Sequence, residues 1–251
     1  MCRKAQTNLN DFINKVNADE GETVLKRDYG KEKVYEGEVV NNQSIDKSEK
    51  SDIIKSEGVA DLEQAKKRDH KIKVNEIAIK NVDYVKPSDF TEEQALAMQL
   101  KHKELLKVAM DSNDSNEVLM ISDLNFNSYV TILGEEFKVS PGRNPFAVSF
   151  IARSDNYSLV YLHNHPSTNL FSIGDIDTFV CEKAIKTMSV VTNQGEVYIM
   201  NKTVDYSFSK AKALLNSVHD SFTEKDIDDK EFVSKFLKRS REGGIEYVKA
   251  K

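Results

Sequence analysis

The 251-residue chain has no tryptophan, two cysteines, four prolines and ten glycines. The cysteines, Cys2 and Cys181, are too few for a disulfide framework and stand in no CxxC spacing, so a cysteine-rich zinc site is excluded. No apolar run approaches the ~20 residues that span a bilayer, and the opening MCRKAQTNLNDF lacks the apolar stretch of a secretory signal. A soluble, cytoplasmic protein without a membrane partner is expected. There is also no excess of positive charge: 36 basic side chains stand against 41 acidic ones, for a net charge of −5. That balance counts against a dedicated nucleic-acid binder, and the short cluster Lys66-Lys67-Arg68 is followed at once by Asp69. Apolar residues make up 39% and charged residues 31%, against roughly 45–50% and a quarter in typical globular chains, so part of the length is expected to build no core.

The surplus charge lies at the start. Residues 1–86 hold 17 acidic and 17 basic side chains among short apolar clusters, too little apolar surface to offset the entropy of ordering. This segment reads as a disordered or partner-binding arm, with Val24 to Val40 as its only hairpin-like stretch; the stump of an upstream domain is the alternative. A folded domain is expected over 87–220 and a C-terminal helix over 221–251. Ser88 to Glu93 supplies N-cap candidates and first-turn acids, and Ala95, Met98, Leu105 and Ala109 then share one face of a helix of about twenty residues. Glu117 to Ile121 and Ser128 to Leu133 read as a strand pair, with Phe137-Lys138-Val139 as its extension, and Pro145 to Ala152 as a short helix. Tyr157 to Leu162 is an apolar run of the kind that marks a strand covered on both faces, and it ends directly on His163. Asp175 to Lys186 reads as a helix, Ser189 to Thr192 and Glu196 to Met200 as strands around the turn Asn193-Gln194-Gly195, and 207–219 and 224–241 as amphipathic helices.

The chemistry is concentrated in His163-Asn164-His165-Pro166, followed by Ser172-Ile173-Gly174-Asp175. Histidines at i and i+2 of an extended chain point to one side, with Cα atoms about 6.5–7 Å apart, so both imidazoles can converge on one ion while Asn164 points away. Two imidazoles and one carboxylate leave a zinc ion with an open position, as catalytic sites require. Such a site also needs a base, and Glu117, which begins the first strand of the same sheet, is the candidate for it. Taken alone, Ser172-x-x-Asp175 is an ordinary helix capping box, and Glu117 a solvated strand-edge acid. His70, His102 and His219 stand in charged or helical contexts and read as surface side chains.

These residues resemble the JAMM/MPN metalloprotease signature over roughly residues 115–202, and look closest to its RadC-like and phage Mu F-type head-morphogenesis-associated branch, which also writes His-Asn-His-Pro-Ser. The resemblance implies an α+β fold, the cytidine-deaminase-like three-layer arrangement with a mixed β-sheet flanked by helices. It implies that His163, His165 and Asp175 are zinc ligands, that Glu117 is the acid/base, and that Ser172 supplies a hydroxyl to the oxyanion. The chain departs from the family at one point, with nine residues rather than ten between His165 and Asp175. Asp177 would restore a long spacing but loses the relation to Ser172, and Glu135 or Glu136 stand as alternatives to Glu117.

The function expected is zinc-dependent hydrolysis of a peptide or isopeptide bond in a protein substrate, such as a ubiquitin-like modifier or a phage structural protein, encoded by a phage or mobile element. The alternatives are a non-catalytic assembly or docking module of the head-morphogenesis type and a RadC-like, DNA-repair-associated protein. The charge balance offers the last of these no phosphate-binding surface.

Overall fold

The computed structural model describes residues 71–222 and 228–250. They form an α+β fold around one mixed six-stranded sheet in the order β2-β1-β3-β4-β5-β6, with β1 at Val118–Asp123, β2 at Tyr129–Leu133, β3 at Leu159–His165, β4 at Ile185–Thr192, β5 at Val197–Lys202 and β6 at Ile245–Lys249. Only β3 and β4 run parallel; every other neighbouring pair is antiparallel. The helices are α1 (Glu76–Lys80), α2 (Glu92–Ser112), α3 (Pro145–Arg153), α4 (Ile173–Cys181), α5 (Phe208–Asp220) and α6 (Asp229–Arg239). Among the described residues no helix is long and apolar enough to cross a membrane.

Alternation along the central strands sends side chains into two cores. Leu119, Ile121, Leu159, Tyr161, Met188 and Val190 join the core beneath α3, α4, α5 and α6. Val118, Met120, Val160, Leu162 and Val191 join the one beneath α2 and the segment leading to it. Every residue of β3 is buried, as its apolar run implies for a strand covered on both faces. Helix α2 starts on a capping box made by Thr91 and Gln94, and the expected Ala95, Met98, Leu105 and Ala109 are buried along it, together with Leu106.

Several boundaries differ from those expected. Residues 71–86, assigned to the arm, are folded: Asn75 caps α1, Ala78 is buried, and Val74, Val82 and Val85 join the core on the sheet's α2 side. The arm reading for residues 1–70, with the hairpin at Val24–Val40, lies outside the described residues. The helix expected over Asp175–Lys186 stops at Cys181, because Ile185, Lys186 and Thr187 already belong to β4. The C-terminal 221–251 is not one helix: after α6, Gly244 in the left-handed region (φ 74°) turns the chain into edge strand β6, paired to β5. The expected strand at Phe137–Val139 is reduced to a single bridge between Glu135 and Lys138.

Gly195 meets a real steric requirement in the turn between β4 and β5. Its φ is +97°, and a Cβ there would lie 2.7 Å from the Ala78 carbonyl oxygen, where α1 rests on the turn. Gly195→Ala is therefore expected to cost about 1–3 kcal/mol, whereas Gly142→Ala, with φ in the ordinary range and its nearest neighbour at 3.7 Å, stays near wild type. Urea denaturation of both variants checks the contrast; equal midpoints would contradict it.

Candidate metal centre

The centre is built at the carboxyl end of β3, the strand parallel to β4, and at the start of the helix α4 that connects the two. Open α/β sheets generally bind their ligands at this position. Period two places His163 and His165 on the α4 side of the sheet. The pairing Leu119↔His163 in the antiparallel β1–β3 ladder, continued by two residues, sets Glu117 opposite His165. Helix α4 is fastened at both ends. At its start Ser172 Oγ accepts from the Asp175 N–H at 3.1 Å, while Asp175 Oδ2 accepts from the Ser172 N–H and from its hydroxyl, each at 2.7 Å. At its end the buried Lys202 donates to the Glu182 carbonyl at 2.8 Å, beside the rings of Phe179, Tyr157 and Tyr206.

The five expected residues come together. His163 Nε2 and His165 Nε2 are 3.1 Å apart. His163 Nε2 lies 3.3 Å from Asp175 Oδ1, His165 Nε2 lies 3.5 Å from Asp175 Oδ2, and Glu117 Oε1 stands 3.8 Å from His165 Nε2. The nine residues between His165 and Asp175 leave Asp175 within reach of both histidines, the capping box fixing the carboxylate relative to the helix start. Asp177 points elsewhere and pairs with His219 on α5 at 3.5 Å. Glu135 and Glu136 are exposed on the turn after β2; Glu135 contributes its carbonyl oxygen to the Glu117 N–H at 3.1 Å. Gly134 lets that turn fold back over Glu117, for a Cβ there would stand 2.6 Å from the Lys138 carbonyl and 3.0 Å from that of Glu117.

The donor set fits a metal ion by two tests. Ligands at about 2.0–2.1 Å from one tetrahedral ion lie about 3.3–3.4 Å from one another; the two histidine nitrogens stand 3.1 Å apart, and each lies 3.3–3.5 Å from one Asp175 oxygen, Oδ1 facing His163 and Oδ2 facing His165. His165 Nδ1 faces the Asn169 carbonyl at 3.2 Å; a nitrogen facing a carbonyl carries the proton, which leaves the Nε2 lone pair directed into the cluster, as in metal-ligating histidines. His163, His165 and Asp175 could thus hold an ion. Two nitrogens and one oxygen suit several first-row divalent metals, and the donor set by itself does not select zinc.

Electrostatics tie the acids to the imidazoles. Burial pushes the Asp175 carboxyl upward, but His163 and His165 outweigh it and hold the group well below the ordinary carboxylate range. Burial likewise disfavours charge on His165, yet the bond to Asp175 and the charges of Asp175 and Glu117 together raise its pKa. Glu117 moves the other way from Asp175: burial raises it, against the opposing pull of His165 and His163 and of a hydrogen bond from the Val139 N–H.

No family model, curated protein or solved structure matches the chain. The geometry therefore stands on its own residues.

Two residues with functional bearing were not foreseen. His102, expected at the surface, is buried, with Nε2 2.8 Å from Ser189 Oγ, because it occupies the same face of α2 as Ala95, Met98, Leu105 and Ala109. The spacing that identified that face also contained His102. Asn193 reads as a turn residue but is fully buried and bonded to three other segments; no local pattern signals such long-range bonds. His219 is half-buried rather than exposed, its ring 4.6 Å from that of Phe232, and His70 lies outside the described residues.

Burial, with His163 nearby, drops the His102 pKa from 6.5 to about 3. Between those values the unfolded chain binds a proton that the folded protein refuses, so stability falls as pH falls through this window, by up to about 1.4 kcal/mol per pH unit. His102→Gln can keep a polar contact with Ser189 and does not titrate. Its loss of stability from pH 7 to pH 5 is expected to be about 2 kcal/mol smaller than that of the wild type, as read from urea denaturation at the two pH values. Equal losses would contradict the assignment.

Proposed function

We propose that this protein is a zinc-dependent amide hydrolase of JAMM type, cleaving a peptide or isopeptide bond in a protein substrate. The observation that carries the reading is the convergence of His163, His165 and Asp175 with Glu117 beside them, the acid/base standing 3.8 Å from a ligand. His163, His165 and Asp175 would hold the ion; with one anionic ligand the site keeps a net positive charge. Zinc supplies a Lewis acid for the carbonyl oxygen and lowers the pKa of water.

The chain's own groups do the rest. Glu117, with its proton affinity raised by burial, accepts a proton from the attacking water at Oε1 as the new C–O bond forms. It returns that proton to the departing amine nitrogen as the C–N bond breaks. A carboxyl with its pKa raised above the ordinary range is better suited to both transfers. Ser172 holds Asp175 in place, and its single hydroxyl proton is directed at Asp175 Oδ2. Serving the oxyanion requires that proton to turn from the carboxylate toward the substrate, so Ser172 combines a positioning role with a catalytic one. The resemblance to the JAMM/MPN signature points to ubiquitin-like modifiers or phage structural proteins as substrates.

Purified full-length protein should take up close to one equivalent of zinc by elemental analysis and lose it in His163→Ala. Glu117→Gln should keep the zinc and lose hydrolysis of a peptide or ubiquitin-like fusion by at least about 100-fold. Unchanged metal content in His163→Ala would contradict the ligand set. Zinc binding without hydrolysis would favour a non-catalytic assembly module instead.

A further inference from the structure

The face of β3 that points away from the metal centre carries a second arrangement. Asn164, between the two histidines, is fully buried, as is Asn193 at the end of β4. Asn164 Oδ1 accepts from the Val118 N–H at 2.7 Å, and its Nδ2 donates to the Asn116 carbonyl at 3.1 Å. It thus grips the backbone on both sides of Glu117. Asn164 Nδ2 also donates to Asn193 Oδ1 at 2.7 Å. Asn193 Nδ2 donates to the carbonyls of Ile72 at 2.7 Å and Ser115 at 2.9 Å, and its backbone N–H donates to the His165 carbonyl at 3.0 Å. Ile72 completes the circuit, its N–H donating to the Pro166 carbonyl at 2.7 Å, and the Val74 N–H donates to Ser115 Oγ at 3.1 Å.

We propose that Asn164 and Asn193 are positioning residues, a lock behind the sheet that sets the Glu117 limb against the His163–His165 limb. The proposal rests on the functional reading above and adds residues that touch neither the ion nor the substrate. Four separate stretches of chain meet in the lock: 72–74, 115–118, 164–166 and 193. Two of them carry the acid/base and the histidines.

Glu117 precedes β1 and has no ladder partner in β3 of its own: on the β2 side its backbone bonds to Glu135 and Gly134, and Asn113 donates to its carbonyl, while towards β3 the bonds of Asn164 to residues 116 and 118 set its place. Asp114 and Ser115, just upstream, both lie in the left-handed region, with φ of 47° and 62°. For side-chain-bearing residues such a conformation persists only where surrounding bonds hold it. Lys71 and Lys73 hold the Asp114 carboxylate, and Ser115 is held by the donations of Val74 and Asn193 and by its own N–H bond to the Ala109 carbonyl. Because Ile72 belongs to the circuit, the stretch 72–74 that leads into α1 is part of the lock.

The test uses the full chain, zinc as the only ligand, and two variants. Asn193→Ala removes all three side-chain bonds. Asn193→Asp keeps the shape and the acceptor for Asn164 but loses both donations, and it decides the matter if Asn193→Ala fails to fold. Val233→Ala, in the core under α6, serves as the control for lost stability alone. Both Asn193 variants should weaken zinc binding at least about tenfold in competition with a chromophoric chelator, the scale on which supporting groups act on metal sites. At a fixed pH they should also move the imidazole ¹⁵N signals of His163 and His165 in metal-free protein. Val233→Ala should do neither. Wild-type zinc affinity and wild-type imidazole signals in a folded Asn193 variant would overturn the lock, as would equal changes in Val233→Ala. If the unaltered protein takes up no zinc, the proposed function fails by itself, and the imidazole signals alone then decide whether the lock exists.

Discussion

The constraint on which the structure turns is the holding of one half-buried carboxylate against two buried imidazoles. Asp175 sits within 3.5 Å of both Nε2 atoms at the end of a strand whose residues are all buried. Charge in such a place is costly unless it is paired and hydrogen-bonded. Both conditions are met: the imidazoles hold the carboxylate ionised, and the N–H and hydroxyl of Ser172 occupy Oδ2. The start of α4, with its unpaired N–H groups, is a favourable place for an anion. The capping box that begins the helix therefore also presents the acid to the histidines.

The two faces of β3 divide the labour. His163 and His165 face α4, and Asn164 faces the opposite core, where it bonds to the backbone around Glu117 and to Asn193. A substitution on the rear face can thus act on the front without touching it. Lys202 makes a related contribution from the far end of α4, where it meets the carbonyl that follows the helix. The protein spends its buried polar groups on orienting a few atoms, and among the described side chains no buried nitrogen or oxygen is left without a partner.

Much of this was legible in the residues. The apolar run into His163, the i, i+2 pair, the Ser172-x-x-Asp175 start and the Asn193-Gln194-Gly195 turn are local patterns, and local patterns determine local geometry. The α+β class followed from them, and the mixed sheet flanked by helices was what the resemblance implied. What was missed depended on averaging or on distance. Composition taken over residues 1–86 hid the spacing of Val74, Ala78, Val82 and Val85, whose burial shows only at the scale of single residues. β6 alternates Ile245, Glu246, Tyr247, Val248 and Lys249 as a short edge strand does, but it follows a helix of strong amphipathic pattern that appeared to continue. Ile185-Lys186-Thr187 fit either a helix end or a strand start, and pairing with β3 and β5 decided for the strand. His102 lay on a face already recognised as apolar, and only its polar side chain concealed its burial. The bonds of Asn193 to Ile72 and Ser115 span 121 and 78 residues, and no local pattern carries them.

The central claim is that His163, His165 and Asp175 hold one metal ion. X-ray absorption at the metal edge of the zinc-loaded full-length protein tests it most directly. The account predicts the scattering of two imidazoles with oxygen and no sulfur, and loss of the imidazole signature when His163 and His165 are both replaced by alanine. A sulfur shell, or a spectrum unchanged by those substitutions, would contradict it.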